Sequence, residues 1–253
     1  MKSMPRSVKP ASQFFLMLIF FISMHAASLQ SQSSAGTMTG NDGKVYKTVR
    51  IGKQIWMAEN LRETKYRNGK EIPAVTDDSE WADLRTGARC FYENKVLNAL
   101  SYGYLYNWFA VADRGNIAPR GWRVPTDEDW KILEKYLGMN EAEVEKWGWR
   151  GNEGGKLKDT GTAHWGSPNE DATNESGFSA LPGGYRYGQS VKRGRGAREG
   201  YFGHLGYYAA FWSSSEFSFM YAWSRFLDYR SAEISHSNSE GKEYGLSVRL
   251  IKE

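Results

Sequence analysis

Apolar residues in this chain change their spacing several times, and each change marks an element. Lys44 to Arg50 reads Lys-Val-Tyr-Lys-Thr-Val-Arg, the alternation of a half-buried strand. Gly52-Lys53 offers a turn and Gln54 to Ala58 a returning strand, so the pair predicts a hairpin. Lys70 to Arg89 is polar and lacks a clean period, which reads as an exposed loop. Cys90-Phe91-Tyr92 is a short strand candidate. From Leu100 to Asp113 the period lengthens: Tyr104, Asn107, Trp108, Val111 and Ala112 fall at helical spacing, and Pro119 and Gly121 close that segment.

A second helix is better signalled. Thr126 is a good N-cap, Asp127, Glu128 and Asp129 favour the positive end of the helix dipole, and Gly138 follows Leu137 as a stop. Trp130, Leu133 and Leu137 form its apolar stripe, and Glu141 to Trp147 offers a further helical turn. Gly151 to Gly206 is dominated by Gly, Asn and Ser and predicts long loops with short strands. Three late strand candidates follow, at Ala209 to Ser214, Ala222 to Tyr229 and Tyr244 to Lys252. Two main helices, short antiparallel strands and long irregular loops make the expected class α+β.

Six phrases punctuate this layout: Val49 to Leu61, Tyr102 to Trp108, Ala118 to Trp130, Gly177 to Arg186, Phe211 to Glu216 and Tyr244 to Arg249. In that order they resemble the Fibrobacter succinogenes major paralogous domain, a family of bacterial exported proteins. Gly121-Trp122-Arg123-Val124-Pro125-Thr126-Asp127-Glu128-Asp129-Trp130 is also similar to a phrase of the formylglycine-generating enzymes, with Asp129 where Glu is usual. That resemblance implies a C-type-lectin-like fold; periodicity alone reaches only α+β.

The leader reads as a secretory signal over residues 1–28. Lys2, Arg6 and Lys9 precede the apolar stretch Phe14 to Ser23, and the small residues Ala26, Ala27 and Ser28 follow. The stretch is about half the roughly 20 apolar residues that a spanning helix needs. Ser31 to Gly40 is small and polar, so residues 29–40 are expected to be a disordered lead-in, leaving 41–253 as the domain. The chain carries 33 basic and 29 acidic residues, three of the basic ones in the leader. The remainder is close to neutral and gives no general argument for nucleic acid. Ten Trp and fifteen Tyr exceed what one core needs, so some rings belong at the surface. Cys90 is the sole cysteine and has no internal disulfide partner; it reads as a small buried hydrophobe.

Enzymatic readings find little support. The formylglycine-generating enzymes use a pair of cysteines as copper ligands, and one cysteine cannot supply it. Asp127-Glu128-Asp129 is explained by the helix dipole. His164, His204 and His236 lack a metal-ligand spacing, and no Gly-x-Ser-x-Gly context supplies a nucleophile. The expectation is therefore a non-catalytic chain. Asn169, Asp171 and Glu175, with Glu170 and Asn174 beside them, carry the oxygen ligands that calcium prefers, so a structural calcium is a candidate there.

Two stretches suggest binding. Between Tyr185 and Tyr208, Arg186, Lys192, Arg193, Arg195 and Arg198 meet only Glu199, with Tyr185, Tyr187, Tyr201, Phe202, Tyr207 and Tyr208 around them. Aromatic faces stack on sugar rings or side chains, and guanidiniums pair with carboxylate or phosphate. Trp223, Arg225, Asp228, Tyr229 and Arg230 form the second stretch, with Ser213 to Glu216 before them. The expected ligand contacts are Tyr185, Arg186, Tyr187, Arg193, Arg195, Tyr201, Trp223, Arg225, Asp228 and Tyr229. The expected partner is a glycan or an envelope protein, in the periplasm, at the cell surface or outside the cell. The alternatives are a structural protein of the envelope and an enzyme acting on envelope polymers.

Overall fold

The computed structural model describes Met1 and residues 34–188 and 200–253. The chain divides into two units, Met1–Ser31 and Gln32–Glu253, and the fold described below is that of the second. The expected signal segment after Met1, the start of the lead-in, and Lys192, Arg193, Arg195, Arg198 and Glu199 lie outside the described residues.

The elements begin with β1 (Ser34–Thr39), β2 (Val45–Ile51), β3 (Gln54–Met57), α1 (Asp78–Asp83) and β4 (Arg89–Cys90). Next come α2 (Val96–Tyr102), β5 (Leu105–Tyr106), α3 (Trp108–Val111), β6 (Trp122–Arg123), α4 (Asp127–Leu137) and α5 (Glu141–Val144). The chain continues through β7 (Gly148–Arg150), α6 (Gly154–Leu157), β8 (Gly183–Arg186) and β9 (Phe202–Leu205). It closes with β10 (Tyr208–Glu216), β11 (Tyr221–Asp228), β12 (Ile234–Gly241) and β13 (Ile251–Lys252).

The result is a mixed fold built on antiparallel sheets. One runs β1-β2-β3-β13-β6 and another β10-β11-β12-β7, with the small pairs β4-β5 and β8-β9 beside them. The expected hairpin is β2–β3, with Thr48 opposite Met57 and Ile51 opposite Gln54. Its alternation buries Tyr46, Thr48 and Ile51 while Val45, Lys47 and Arg50 face water.

α4 starts and stops where the sequence places it. The Thr126 side chain accepts from the Asp129 N–H, and the Asp129 carboxylate accepts from the Thr126 N–H at 2.7 Å, closing a capping box. Gly138 ends the helix with a φ of 122° that a side chain would resist. Trp130, Leu133 and Leu137 are buried against Val49, Ile51 and Trp56 of the first sheet and Phe211, Leu227 and Ile234 of the second. Trp56 and Trp130 have ring centroids 4.9 Å apart.

Four expectations are corrected. Residues 34–39 are not a disordered lead-in; they pair with β2, Met38 lying opposite Tyr46 and buried. The segment 70–89 is not all exposed loop, since α1 packs Trp81 against Val75, Ala88, Cys90 and Leu105. Leu100 to Asp113 is not one helix. Gly103 takes a φ of 79° and a position where a Cβ would stand 2.7 Å from Asn60 Cβ, so the chain leaves α2, runs through β5 and restarts as α3. The terminal strand is shorter than expected, Leu246 and Ser247 making only isolated bridges before β13.

Charged groups cross the core as well. Arg225 of β11 donates from Nε to Glu134 Oε1 at 2.5 Å and from Nη1 to Asp127 Oδ1 at 2.8 Å. Arg150 of β7 reaches Glu134 Oε2 at 2.5 Å, and His236 Nε2 stands 3.0 Å from Asp127 Oδ1. Glu134, Arg225, Arg150 and His236 are all buried. The network fastens α4 to the second sheet by pairing charges that would each be costly to bury alone, while Arg150 Nε and Arg225 Nη2 are left without a hydrogen-bond partner. Among the described residues, no helix is long and apolar enough to cross a membrane.

Candidate functional site

The β8–β9 hairpin brings the tyrosines of the first stretch together. Gly184 has a φ of 61°, and a Cβ there would stand 2.5 Å from Gly203 O, so the close approach of the two strands requires glycine. The hairpin carries Tyr185, with Tyr187 just beyond β8 and Tyr201 just before β9. His204 follows on β9, Tyr208 opens β10, Phe226 lies on β11, and Tyr244 precedes the terminal strand.

Tyr185 is the hub of these rings. His204 stacks on it at 5.1 Å and 19°, and Tyr244 lies at 6.4 Å and 25°. Tyr187, Phe226 and Tyr208 stand at 5.0, 5.7 and 6.5 Å. Tyr187 in turn stacks on Tyr201 at 4.2 Å and 12°. The hydroxyls form a chain, Tyr185 to Tyr187 at 3.1 Å and Tyr187 to His204 Nε2 at 3.2 Å. Burial raises the Tyr185 hydroxyl far above the usual phenol range, with the Tyr187 contact adding to it, and burial also pushes Tyr244 up to about 12. Partial burial lowers His204, opposed by the nearby Asp228. The Tyr185 and Tyr244 hydroxyls therefore stay protonated near neutral pH. His204 is exposed, and the five tyrosines are half-buried.

A charged pair borders the rings. Asp228 stands in register with Tyr208 across β10 and β11. Its Oδ1 accepts from the Arg230 N–H at 2.8 Å, and Arg230 Nη2 lies 3.5 Å from Oδ2. The Tyr208 hydroxyl is raised by burial and then by its bond to Asp228. Arg230 also lies over the Tyr229 ring at 5.2 Å, and Tyr229 packs on Tyr207 at 4.9 Å. On the other side, exposed Trp149 of β7 stands 6.3 Å from Tyr208. Flat apolar ring faces beside a carboxylate and a guanidinium suit a ligand that has both an apolar face and hydroxyls.

The structure thus gathers Tyr185, Tyr187, Tyr201, Asp228 and Tyr229, and it removes others. Arg186 is fully buried. It donates to Gly200 O at 2.6 Å, Val75 O at 2.8 Å, Thr76 O at 2.9 Å and Asp78 Oδ1 at 2.7 Å, so it staples loops and touches no ligand. Arg225 is engaged in the ion pairs to α4. Trp223 packs elsewhere, 4.2 Å from His236 and 5.9 Å from Trp147. Trp149, His204 and Tyr244 were not legible as site residues. Nothing in the sequence marks His204 beyond its place among the tyrosines.

The residues expected to hold calcium stand in differing surroundings, and Asn169 Oδ1 is buried without a hydrogen-bond partner. The Asn169 amide is buried and donates to Asp159 O at 3.0 Å and Gly161 O at 2.7 Å, while Asp171 and Glu175 are exposed. Among the described residues, no group of three His, Cys, Asp or Glu side chains is placed to hold a metal ion. Cys90 is free and buried, and burial pushes its thiol up to about 12 against the pull of Arg186.

Fold and site define a mixed helix-and-strand domain with antiparallel sheets and one half-exposed aromatic face. The family described as the Fibrobacter succinogenes major domain matches residues 49–252, and the chain belongs to it. No curated protein and no solved structure matches the chain.

Proposed function

We propose that this chain is an exported, non-catalytic binding module that recognises a glycan through the Tyr185 face. The observation that carries this reading is the cluster of rings around Tyr185, half-open to water and flanked by the Asp228–Arg230 pair. Rings held by neighbours lose little freedom on binding, so stacking on the apolar face of a sugar carries a small entropic penalty. Asp228 and Arg230 offset each other in charge, so this pair favours a neutral polysaccharide whose binding there depends weakly on salt. Export through residues 1–28 to the periplasm, the cell surface or the medium belongs to the same proposal. So does a C-type-lectin-like arrangement, which the phrase Gly121 to Trp130 supports.

A second reading has its own observation. Trp147, Phe217, Phe219 and Met220 are exposed, at 64%, 42%, 92% and 53%, and Trp147 and Phe217 pack on Trp223 at 5.9 and 5.1 Å. A patch of that kind favours a structural or interaction protein of the envelope, in contact with another protein.

The test is binding to an array of neutral and acidic polysaccharides at low and moderate salt. Saturable binding to a neutral glycan, weakened about tenfold or more by Trp149→Ala or Tyr208→Ala, supports the first reading; tenfold corresponds to about 1.4 kcal/mol. A flat array with folded protein sinks it and favours the envelope-protein reading.

A further inference from the structure

Lys158 follows α6 and is fully buried. Its Nζ donates to three backbone carbonyls, Glu170 O at 2.7 Å, Ser231 O at 2.8 Å and Asp228 O at 3.0 Å. The Trp165 ring lies 5.6 Å away. Three acceptors use all three N–H bonds of an ammonium, and each bond is charge-assisted. Burial lowers Lys158 to about 8, with Asp228, Glu170 and Asp171 acting in the other direction.

The three carbonyls come from two irregular segments. Glu170 lies in the loop that reads in sequence as a calcium site. Asp228 and Ser231 bracket the turn after β11, and the Glu170 N–H donates to Tyr229 O at 2.8 Å across the same gap. Calcium takes six to eight oxygens, carboxylates among them. Here the acceptors facing Lys158 Nζ are neutral carbonyls, and the Asp228 carboxylate is turned to Arg230. A small acceptor set of that kind suits one positive charge with N–H bonds to give.

We infer that Lys158 is the resident cation of this loop pair, an internal ammonium that closes loop 159–175 onto turn 228–231 without a metal ion. When the side chain is cut back, the same cage takes an alkylammonium ion. The turn it holds carries Asp228, Tyr229 and Arg230, so Lys158 is also a positioning residue for the candidate face. That last consequence rests on the reading proposed above, whereas the closure does not.

The experiment is amide hydrogen exchange on the full chain, compared with Lys158→Ala and Lys158→Met. Both variants are expected to exchange about tenfold or more faster in residues 159–175 and 228–231, with α4 unchanged, as for a local opening. Butylammonium chloride restores protection to Lys158→Ala, and calcium chloride or sodium chloride at equal ionic strength does not. Unchanged exchange in Lys158→Met, or restoration by calcium as full as by butylammonium, overturns the inference. Should Lys158→Ala fail to fold, the unaltered chain decides. A melting temperature indifferent to calcium and to chelator agrees with the inference, and a rise with calcium refutes it. If the exchange results hold while no glycan binds, the closure stands and the glycan reading falls.

Discussion

Arg225 Nε lies 2.5 Å from Glu134 Oε1, and neither side chain is exposed. The pair joins the middle of β11 to the middle of α4, so an arginine that reads in sequence as a ligand contact is part of the frame. Removing one partner of such a pair leaves a buried charge uncompensated, which costs about 3 kcal/mol or more. Glu134→Gln is therefore expected to lower unfolding free energy by about 3 kcal/mol, measured by denaturant titration. Arg225→Met should destabilise while leaving the glycan affinity of the folded fraction unchanged. Trp149→Ala should do the reverse.

Acid sensitivity follows from two carboxylates. Burial would raise Asp127, but His236 and Arg225 outweigh it and hold the group far below the usual range. Burial would also raise Asp42, yet Lys44 and the N–H and hydroxyl of Thr64 lower it to about 2. A depressed folded value means that the unfolded chain binds protons first. Stability from these groups is thus present above about pH 3.8 and is lost as pH falls through the folded values. Glu63 acts in the opposite sense: burial and the nearby Asp42 raise it, so its contribution fades as pH rises above 4.5. Unfolding curves from about pH 6 down to about 2 should steepen below about pH 4, and Asp42→Asn should flatten that limb.

Cys90 is enclosed by Val75, Trp81, Ala88 and Leu105. A buried thiol raised to about 12 carries almost no thiolate at neutral pH. A thiol-reactive chromophore should leave the native chain unmodified for hours and label one cysteine per chain once denaturant is added. Rapid labelling of the native protein would show that the apolar enclosure around Cys90 opens readily.

The entry to α4 gives a smaller and cleaner test. Thr126 Oγ1 accepts from the Asp129 N–H at 3.2 Å, and Arg123 Nη2 donates to Asp129 Oδ1 at 2.7 Å. Loss of an N-cap side chain typically costs about 1 kcal/mol. Thr126→Ala should lower the unfolding free energy by about that amount, and Thr126→Ser should restore most of it. An unchanged Thr126→Ala would mean that the Asp129 carboxylate, held by Arg123 and by the backbone N–H of residue 126, fixes the helix start without the hydroxyl.

Several elements could be read from the chain because they depend on near neighbours. The β2–β3 hairpin follows from its alternation and from Gly52, and α4 from its cap, its acidic first turn and Gly138. Trp56, Trp108, Trp122 and Trp130 are core residues, as their place in the ordered phrases suggests. By contrast β12, Ile-Ser-His-Ser-Asn-Ser-Glu-Gly, has little strand character of its own. It is held between β11 and β7 by ladder hydrogen bonds that no local pattern announces.

The roles of the cations were set in the same way. In sequence Lys158, Arg186, Arg225 and Arg230 are four polar side chains next to apolar ones. In the fold Arg230 is exposed on the aromatic face, whereas Lys158 and Arg186 are sunk among loop carbonyls and Arg225 among carboxylates. Family, mixed class, hairpin and capped helix are all written in the amino-acid order, since each rests on phrases or on spacing within a turn or two of the chain. Which rings share a face, and which charges are neutralised inside, emerged only when the chain was folded. A buried cation is satisfied by carbonyls and carboxylates tens of residues away, and no local pattern encodes where those will meet.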